Sequence, residues 1–136
     1  MKSKQVIVIR KDLNMRKGKM VAQGSHASMK AILELMYRSS VSESGEKGEI
    51  LVLPIIESTA VTDWLNGTFT KICVSVDSEQ ELTDIYSQAL KLGMPCSLIK
   101  DAGLTEFDGV PTLTCCAIGP AWDFDVNKIT GHLKLL

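Results

Sequence analysis

QVIVIRKDLNMRKGKMVAQGSHASM, residues 5–29, runs from a β-branched stretch through a basic loop into an apolar pattern of helical period. Residues 5–10 (QVIVIR) are apolar on both faces, as in a central strand covered on both sides. A helix is expected from about Lys17 or Gly18 to Arg38. On it Met20, Ala27, Ala31 and Leu35 share one side, with Val21, Ile32 and Met36 beside them, an amphipathic stripe of ordinary width. Between strand and helix, residues 10–19 gather five bases, Arg10, Lys11, Arg16, Lys17 and Lys19, against Asp12. The stretch therefore predicts a strand that feeds a helix through a positively charged mouth.

Working outward, SSVSESGEKGE (39–49) is rich in Ser, Gly and Glu and reads as a mobile loop. In the ILVLPII that follows, Pro54 limits any strand to an edge or a short piece. STAVTDWLNG predicts a short helix with Ser58 as N-cap and Gly67 as its stop. TKICVSV (70–76) is a clear strand. Ser78 to Gly93 is the best-marked helix: Ser78 and Glu81 form a capping box, and Leu82, Ile85, Tyr86, Ala89 and Leu90 make its buried face. CSLIK (96–100) and TLTCCAI (112–118) are further strands, and WDFDVNKITGHLKLL begins with a short helix or turn.

Strands separated by helices pair in parallel through right-handed crossovers, which makes an α/β layered fold over a single domain, 1–136. The last two strands are too close for a helical crossover and are expected to be antiparallel. In open α/β sheets the site lies beyond the carboxyl ends of the parallel strands. Two polar loops fall there, RKDLNMRKGK after the first strand and KDAGLTE after the third.

The totals set the class. With 45% apolar and 23% charged residues, the 136-residue chain has the composition of a soluble globular protein. No apolar run approaches the roughly 20 residues of a membrane-spanning helix. The N-terminus lacks the apolar length of a secretory signal. Cys73, Cys96, Cys115 and Cys116 form no C-x-x-C pair and read as small buried thiols in a reducing cytoplasm. A metal site is not expected. Residues 1–30 hold eight Lys/Arg against Asp12 alone, whereas 31–136 hold seven against fifteen acids. Such a split suits a chain that presents one surface to a polyanion.

Helix N-termini favour phosphate through free N–H groups and the macrodipole, and Arg16, Lys17 and Lys19 reinforce that preference. Neither G-x-x-x-x-G-K-[ST] nor G-x-G-x-x-G is present, so no nucleotide-binding loop is expected. Lys19, Gln23, His26 and Lys30 project from one side of the helix. His26, near Ala22, Ala27 and Met29, reads as a partly buried structural ring. KDAGLTE places Asp101 at a strand end and Thr105 four residues on, with Gly103 permitting a tight turn. If Asp101 faces Lys19, the pair can orient a water beside a polarised ester carbonyl. Ser25 and Ser28 lie near His26, but neighbouring helix positions do not face one another, so no nucleophilic triad is expected.

Three blocks carry a resemblance: VIVIRKDLNMRKGKMVAQGSHASM, GMPCSLIKDAGLTE and AIGPAWDFDVNKITGHLKLL. Their combination of R-x-D-L-x-M-x-K-G-K-x-x-A-Q-x-x-H-A, D-A-G-x-T and T-G-H-L-K-L-L resembles the archaeal and eukaryotic-type peptidyl-tRNA hydrolases. That resemblance implies a three-layer α/β/α fold with a four-stranded mixed sheet, its last strand antiparallel. It implies a cytoplasmic esterase that needs no cofactor, is commonly a homodimer, and cleaves the ester between a peptide and the terminal ribose of tRNA. The catalytic positions it implies are Lys19, Gln23, Asp101 and Thr105, with Lys17 a phosphate contact. Arg10, Lys11, Arg16 and Lys30 extend the expected tRNA-binding set.

Two features depart from the family pattern. Arg16 stands where a glycine is usual, and the segment 39–70 is longer and divergent. The rival readings are a non-catalytic RNA- or protein-binding module on the same fold, and an esterase for small acyl esters. A pure binder has no need of the full Lys19, Gln23, Asp101 and Thr105 set, and a small-ester esterase has no need of the basic segment.

Overall fold

The computed structural model describes residues 1–136 and has a mixed α/β fold with a five-stranded sheet, a separate two-stranded sheet and four α-helices. The chain begins with β1 (Ser3–Arg10), passes a 3-10 turn (Lys11–Leu13) and enters α1 (Lys17–Leu33). Then come β2 (Tyr37–Glu43), β3 (Glu46–Val52), α2 (Ala60–Asn66), β4 (Lys71–Val76) and α3 (Glu79–Lys91). The last elements are β5 (Cys96–Asp101), β6 (Thr112–Trp122), α4 (Asp123–Thr130) and β7 (Lys134–Leu135).

The main sheet has the order β5-β6-β1-β4-β7. β1 and β4 are parallel, with Val8 opposite Val74, while β6 runs antiparallel to both β1 and β5. β1 and β5 therefore point the same way, and their carboxyl ends reach the same edge of the sheet.

Period-two burial sorts the core onto two faces. Val6, Val8, Val74, Val76, Cys116 and Ile118 pack with Leu82, Ile85 and Ala89 of α3 and Val126 and Ile129 of α4. Ile7, Ile9, Ile99, Cys115 and Ala117 pack with Ala27 and Ala31 of α1. Val6 to Ile9 are all buried, so β1 is covered on both sides, which is why its sequence shows no alternation. The adjacent Cys115 and Cys116 fall on opposite faces. Beside α1 the sheet is left open at β4, giving an apolar groove of about 760 Å3 lined by residues that include Val21, Met29, Trp64, Phe69, Cys73 and Leu136.

Several expectations need correction. The sheet has five strands rather than four, because Lys134 and Leu135 pair with Ser75 and Val74 and Leu136 N–H donates to Cys73 O at 3.1 Å. A two-residue strand leaves no periodicity to read. α1 stops at Leu33, not Arg38, and the segment read as a mobile loop is the β2–β3 hairpin. Its reversal is made by Ser44 (φ 52°) and Gly45 (φ 82°), the paired positive φ angles of a type I′ turn. α2 is capped by Thr59, whose hydroxyl accepts from Thr62 N–H, rather than by Ser58. Cys73 is exposed, because its face of β4 borders the open groove. No helix among the described residues is long and apolar enough to cross a membrane.

Candidate active site

The shared sheet edge brings the two polar loops together. α1 begins at Lys17 with Arg16 as an N-cap that makes no side-chain capping bond, and its first turn contains no acid. The N–H groups of that turn and the positive end of the helix thus face the mouth without a carboxylate of their own. Lys19 rises from this first turn, and Gln23 lies one turn further along the same side.

From the other direction, β5 ends at Asp101 and the chain turns sharply at Gly103. At φ +82° a side chain there is strained, and an added Cβ would lie 2.2 Å from Val110 O, so this turn requires glycine. The turn closes on itself through Gly109 N–H to Gly103 O at 2.8 Å.

Four side chains meet where these loops cross. Lys19 Nζ donates to Asp101 Oδ1 at 3.0 Å and to Thr105 Oγ1 at 2.8 Å. Gln23 Nε2 donates to the same Asp101 oxygen at 3.1 Å, and Gly103 N–H donates to Oδ2 at 2.8 Å. An ammonium has three donors, so one N–H of Lys19 is left for an incoming oxygen. The Lys19 ammonium bonded to Asp101, helped by Gly103 N–H and against the effect of burial, holds the carboxyl below its ordinary pKa.

A buried layer fixes this cluster from behind. Gln23 is buried, and its Oε1 accepts from Thr114 Oγ1 of β6 at 2.6 Å, which turns the amide nitrogen toward Asp101. Cys115 Sγ donates to Gln23 O at 3.2 Å. Thr114 was not singled out in the sequence; its signal is a polar residue at an inward position of an otherwise apolar strand. Phe107 and Glu106 are the other missed neighbours. The Phe107 ring centroid is 5.6 Å from Lys19 Nζ, and Glu106 pairs with Arg16 at 2.8 Å.

The basic residues distribute unevenly. Lys11 and Lys17 are exposed at the mouth. Arg10 is committed to Asp12 at 2.7 Å and to Leu113 O at 3.0 Å. Lys30 lies eleven residues beyond Lys19, about 16 Å along the axis, where its ammonium donates to Leu98 O at 2.9 Å on the edge strand β5. His26 is exposed rather than partly buried, because the buried line of α1 drifts from Gln23 through Ala27 to Ala31 and leaves it outside.

Burial pushes the Cys115 thiol up to about 11 and the Cys116 thiol well above its ordinary value. Both stay protonated near neutrality and are poor nucleophiles. The donor-rich, carboxylate-anchored notch suits polarisation of a carbonyl and alignment of a water.

Residues 3–136 match the family described as Peptidyl-tRNA hydrolase PTH2. The chain is 46% identical to a peptidyl-tRNA hydrolase of Methanocaldococcus jannaschii, with 98% of this chain and 99% of that one covered. It is 41% identical to a peptidyl-tRNA hydrolase of Thermococcus onnurineus, covering 98% and 97%. A solved Agrobacterium protein of unknown function superposes with a TM-score of 0.55 over 100% of this chain and 98% of that one, at 12% identity, which is a likeness of fold alone. With its motif residues in one notch and the match running along nearly the whole chain, this protein belongs to the peptidyl-tRNA hydrolase PTH2 family and is a hydrolase of peptidyl-tRNA.

Proposed function

We propose that Lys19, Gln23, Asp101 and Thr105 carry the reaction by one-step attack of water on the ester that joins the peptide to the terminal ribose. The observation that supports this most is the convergence on one carboxylate of groups 78 and 82 positions away in the chain. Lys19 uses its remaining N–H to stabilise the oxyanion as the water oxygen bonds to the carbonyl carbon. Asp101 orients that water. A carboxylate held below its ordinary pKa is a weak base, so alignment rather than proton storage is its part. Gln23 holds the carboxylate in register, and Thr105 fixes the lysine. As the tetrahedral intermediate collapses, the carbonyl–ribose bond breaks and the ribose oxygen leaves with a proton that came from the water.

Lys11, Arg16 and Lys17, around the N-terminus of α1, are the proposed phosphate contacts nearest the ester; Arg10 and Lys30, each already bonded within the chain, are the outlying members of the proposed set. Affinity then depends steeply on salt and little on tRNA sequence. We read residues 1–136 as one three-layer α/β/α unit that works in the cytoplasm, where translation supplies the substrate and where cell fractionation would find it. A homodimer is part of the same proposal. Val21, Met29 and Phe69, 70%, 53% and 48% exposed along one groove, form an apolar surface of the kind that associates. Sedimentation equilibrium showing only monomer at micromolar concentration would remove the dimer.

The deciding experiment is Lys19→Ala on a defined peptidyl-tRNA. Loss of one preorganised donor lowers turnover by on the order of 10² to 10³, while tRNA binding stays within a few-fold. Wild-type turnover in that variant overturns the assignment.

A further inference from the structure

The site rests on a turn that lies outside the sheet and helices and is closed by Gly109 N–H to Gly103 O and Val110 N–H to Phe107 O. Residues 102–111 form no helix or strand, Leu104 is 86% exposed, and Asp108 adopts φ 50°. Thr105, which must meet Lys19, sits at the middle of this segment. Immediately after it, Glu106 reaches across the mouth to Arg16, ninety positions earlier. Arg16 Nε donates to Glu106 Oε1 at 2.8 Å, and Arg16 N–H approaches Oε2 at 3.4 Å. One carboxylate thus takes both a side-chain and a backbone donor at the start of α1, the end of the helix that favours negative charge. Phe107, next in the chain, is partly buried against the α1 side of the core. Its ring also lies near Lys19.

We propose that Arg16 and Glu106 form a clasp that pins the turn to the mouth of α1 and so positions Thr105 against Lys19, making both positioning residues for the hydrolysis. The inference rests on the catalytic reading of Lys19 and Thr105 given above. Arg16 is 82% exposed on its side chain whereas Glu106 is 13% exposed. A tRNA phosphate therefore has access to the open side of the guanidinium while Glu106 holds the inner side. Arg16 contributes to docking and Glu106 to geometry, and the two contributions separate in kinetics.

The test measures kcat and KM separately on a defined peptidyl-tRNA. Glu106→Gln keeps the size of the side chain and removes its charge. It is expected to lower kcat by about 5- to 20-fold, since small misplacements of a reacting group are costly, with KM unchanged or lower because Arg16 is released to phosphate. Arg16→Gln should lower kcat similarly and raise KM. The exchange of Arg16→Glu with Glu106→Arg should restore kcat to within about threefold. Because the clasp acts through Thr105, Glu106→Gln added to Thr105→Val should cost nothing further in kcat. Amide exchange across residues 102–108 should quicken in Glu106→Gln with the thermal midpoint little changed.

Wild-type kcat in Glu106→Gln, or full additivity with Thr105→Val, overturns the clasp while leaving the catalytic assignment intact if Lys19→Ala is still inactive. Wild-type turnover in both Lys19→Ala and Thr105→Val overturns the catalytic assignment, and the clasp with it.

Discussion

The mouth of α1 and the β2–β3 hairpin both lie at the surface, and they are held in opposite ways. At the mouth, Lys19, Gln23, Asp101, Thr105 and Thr114 come from three distant segments and are joined by side-chain bonds of 2.6 to 3.1 Å. The hairpin is a ladder between neighbours in sequence, Tyr37 opposite Val52 through Glu43 opposite Glu46, and pairs with no other strand. Tyr37, Val41, Ile50 and Leu51 on it are all exposed. Each group at the mouth is fixed by the identity of a remote partner, so a single substitution propagates. In the hairpin the backbone carries the structure, and most side chains are replaceable. A two-stranded ribbon is marginal by itself, which makes it the natural place for change without consequence at the site.

That contrast is open to experiment, beginning where the largest effect is expected. Asp101→Asn removes the charge that Lys19 and Gln23 share, and turnover should fall by on the order of 10² to 10³ in single-turnover hydrolysis. The same substitution should alter acid stability. Asp101 in the folded chain ionises below its ordinary value, so its stabilisation is complete above the unfolded pKa of about 3.9 and is lost as pH falls through the lower folded value. Wild type should therefore lose stability below about pH 4 more steeply than the Asn variant. Parallel acid-unfolding curves would show that the carboxylate is not anchored as described.

Thr114→Val comes next in size. It leaves the buried Gln23 Oε1 without its donor, at a cost of about 1–3 kcal/mol in denaturant unfolding, and should lower kcat several-fold. A variant as stable as wild type would mean that the inner layer does not hold the mouth. The smallest effect is expected from replacing Tyr37–Val52 with a short turn. Tyr37 and Val52 are cross-strand partners, so the chain leaves and re-enters the body at neighbouring points about 5 Å apart. Turnover and KM should stay within about twofold, and a tenfold loss would give the hairpin a part in the reaction.

The same contrast explains what was legible in the sequence. β1, β4, α3 and the β5–β6 pair were readable because short β-branched or apolar runs, the helical period of α3 and the Ser78 cap are local signals. The meeting of the K-G-K mouth with the D-A-G turn followed from strand direction, which chain order dictates. The hairpin was not readable by composition alone, since a Ser-Gly reversal matters only once its φ angles are known. β7 is too short to carry a pattern. Thr114 and Glu106 were missed because their partners lie ninety or more positions away, and spacing says nothing about such pairs.

The open groove beside α1 carries one more consequence, for chemical labelling. Of the four cysteines, Cys96, Cys115 and Cys116 are buried with thiols pushed upward, while Cys73 is exposed on the groove wall. On a protomer whose groove is uncovered, a maleimide dye added near neutral pH will therefore mark that wall selectively. Its fluorescence then gives a built-in gauge of whatever settles there, with no engineered handle required.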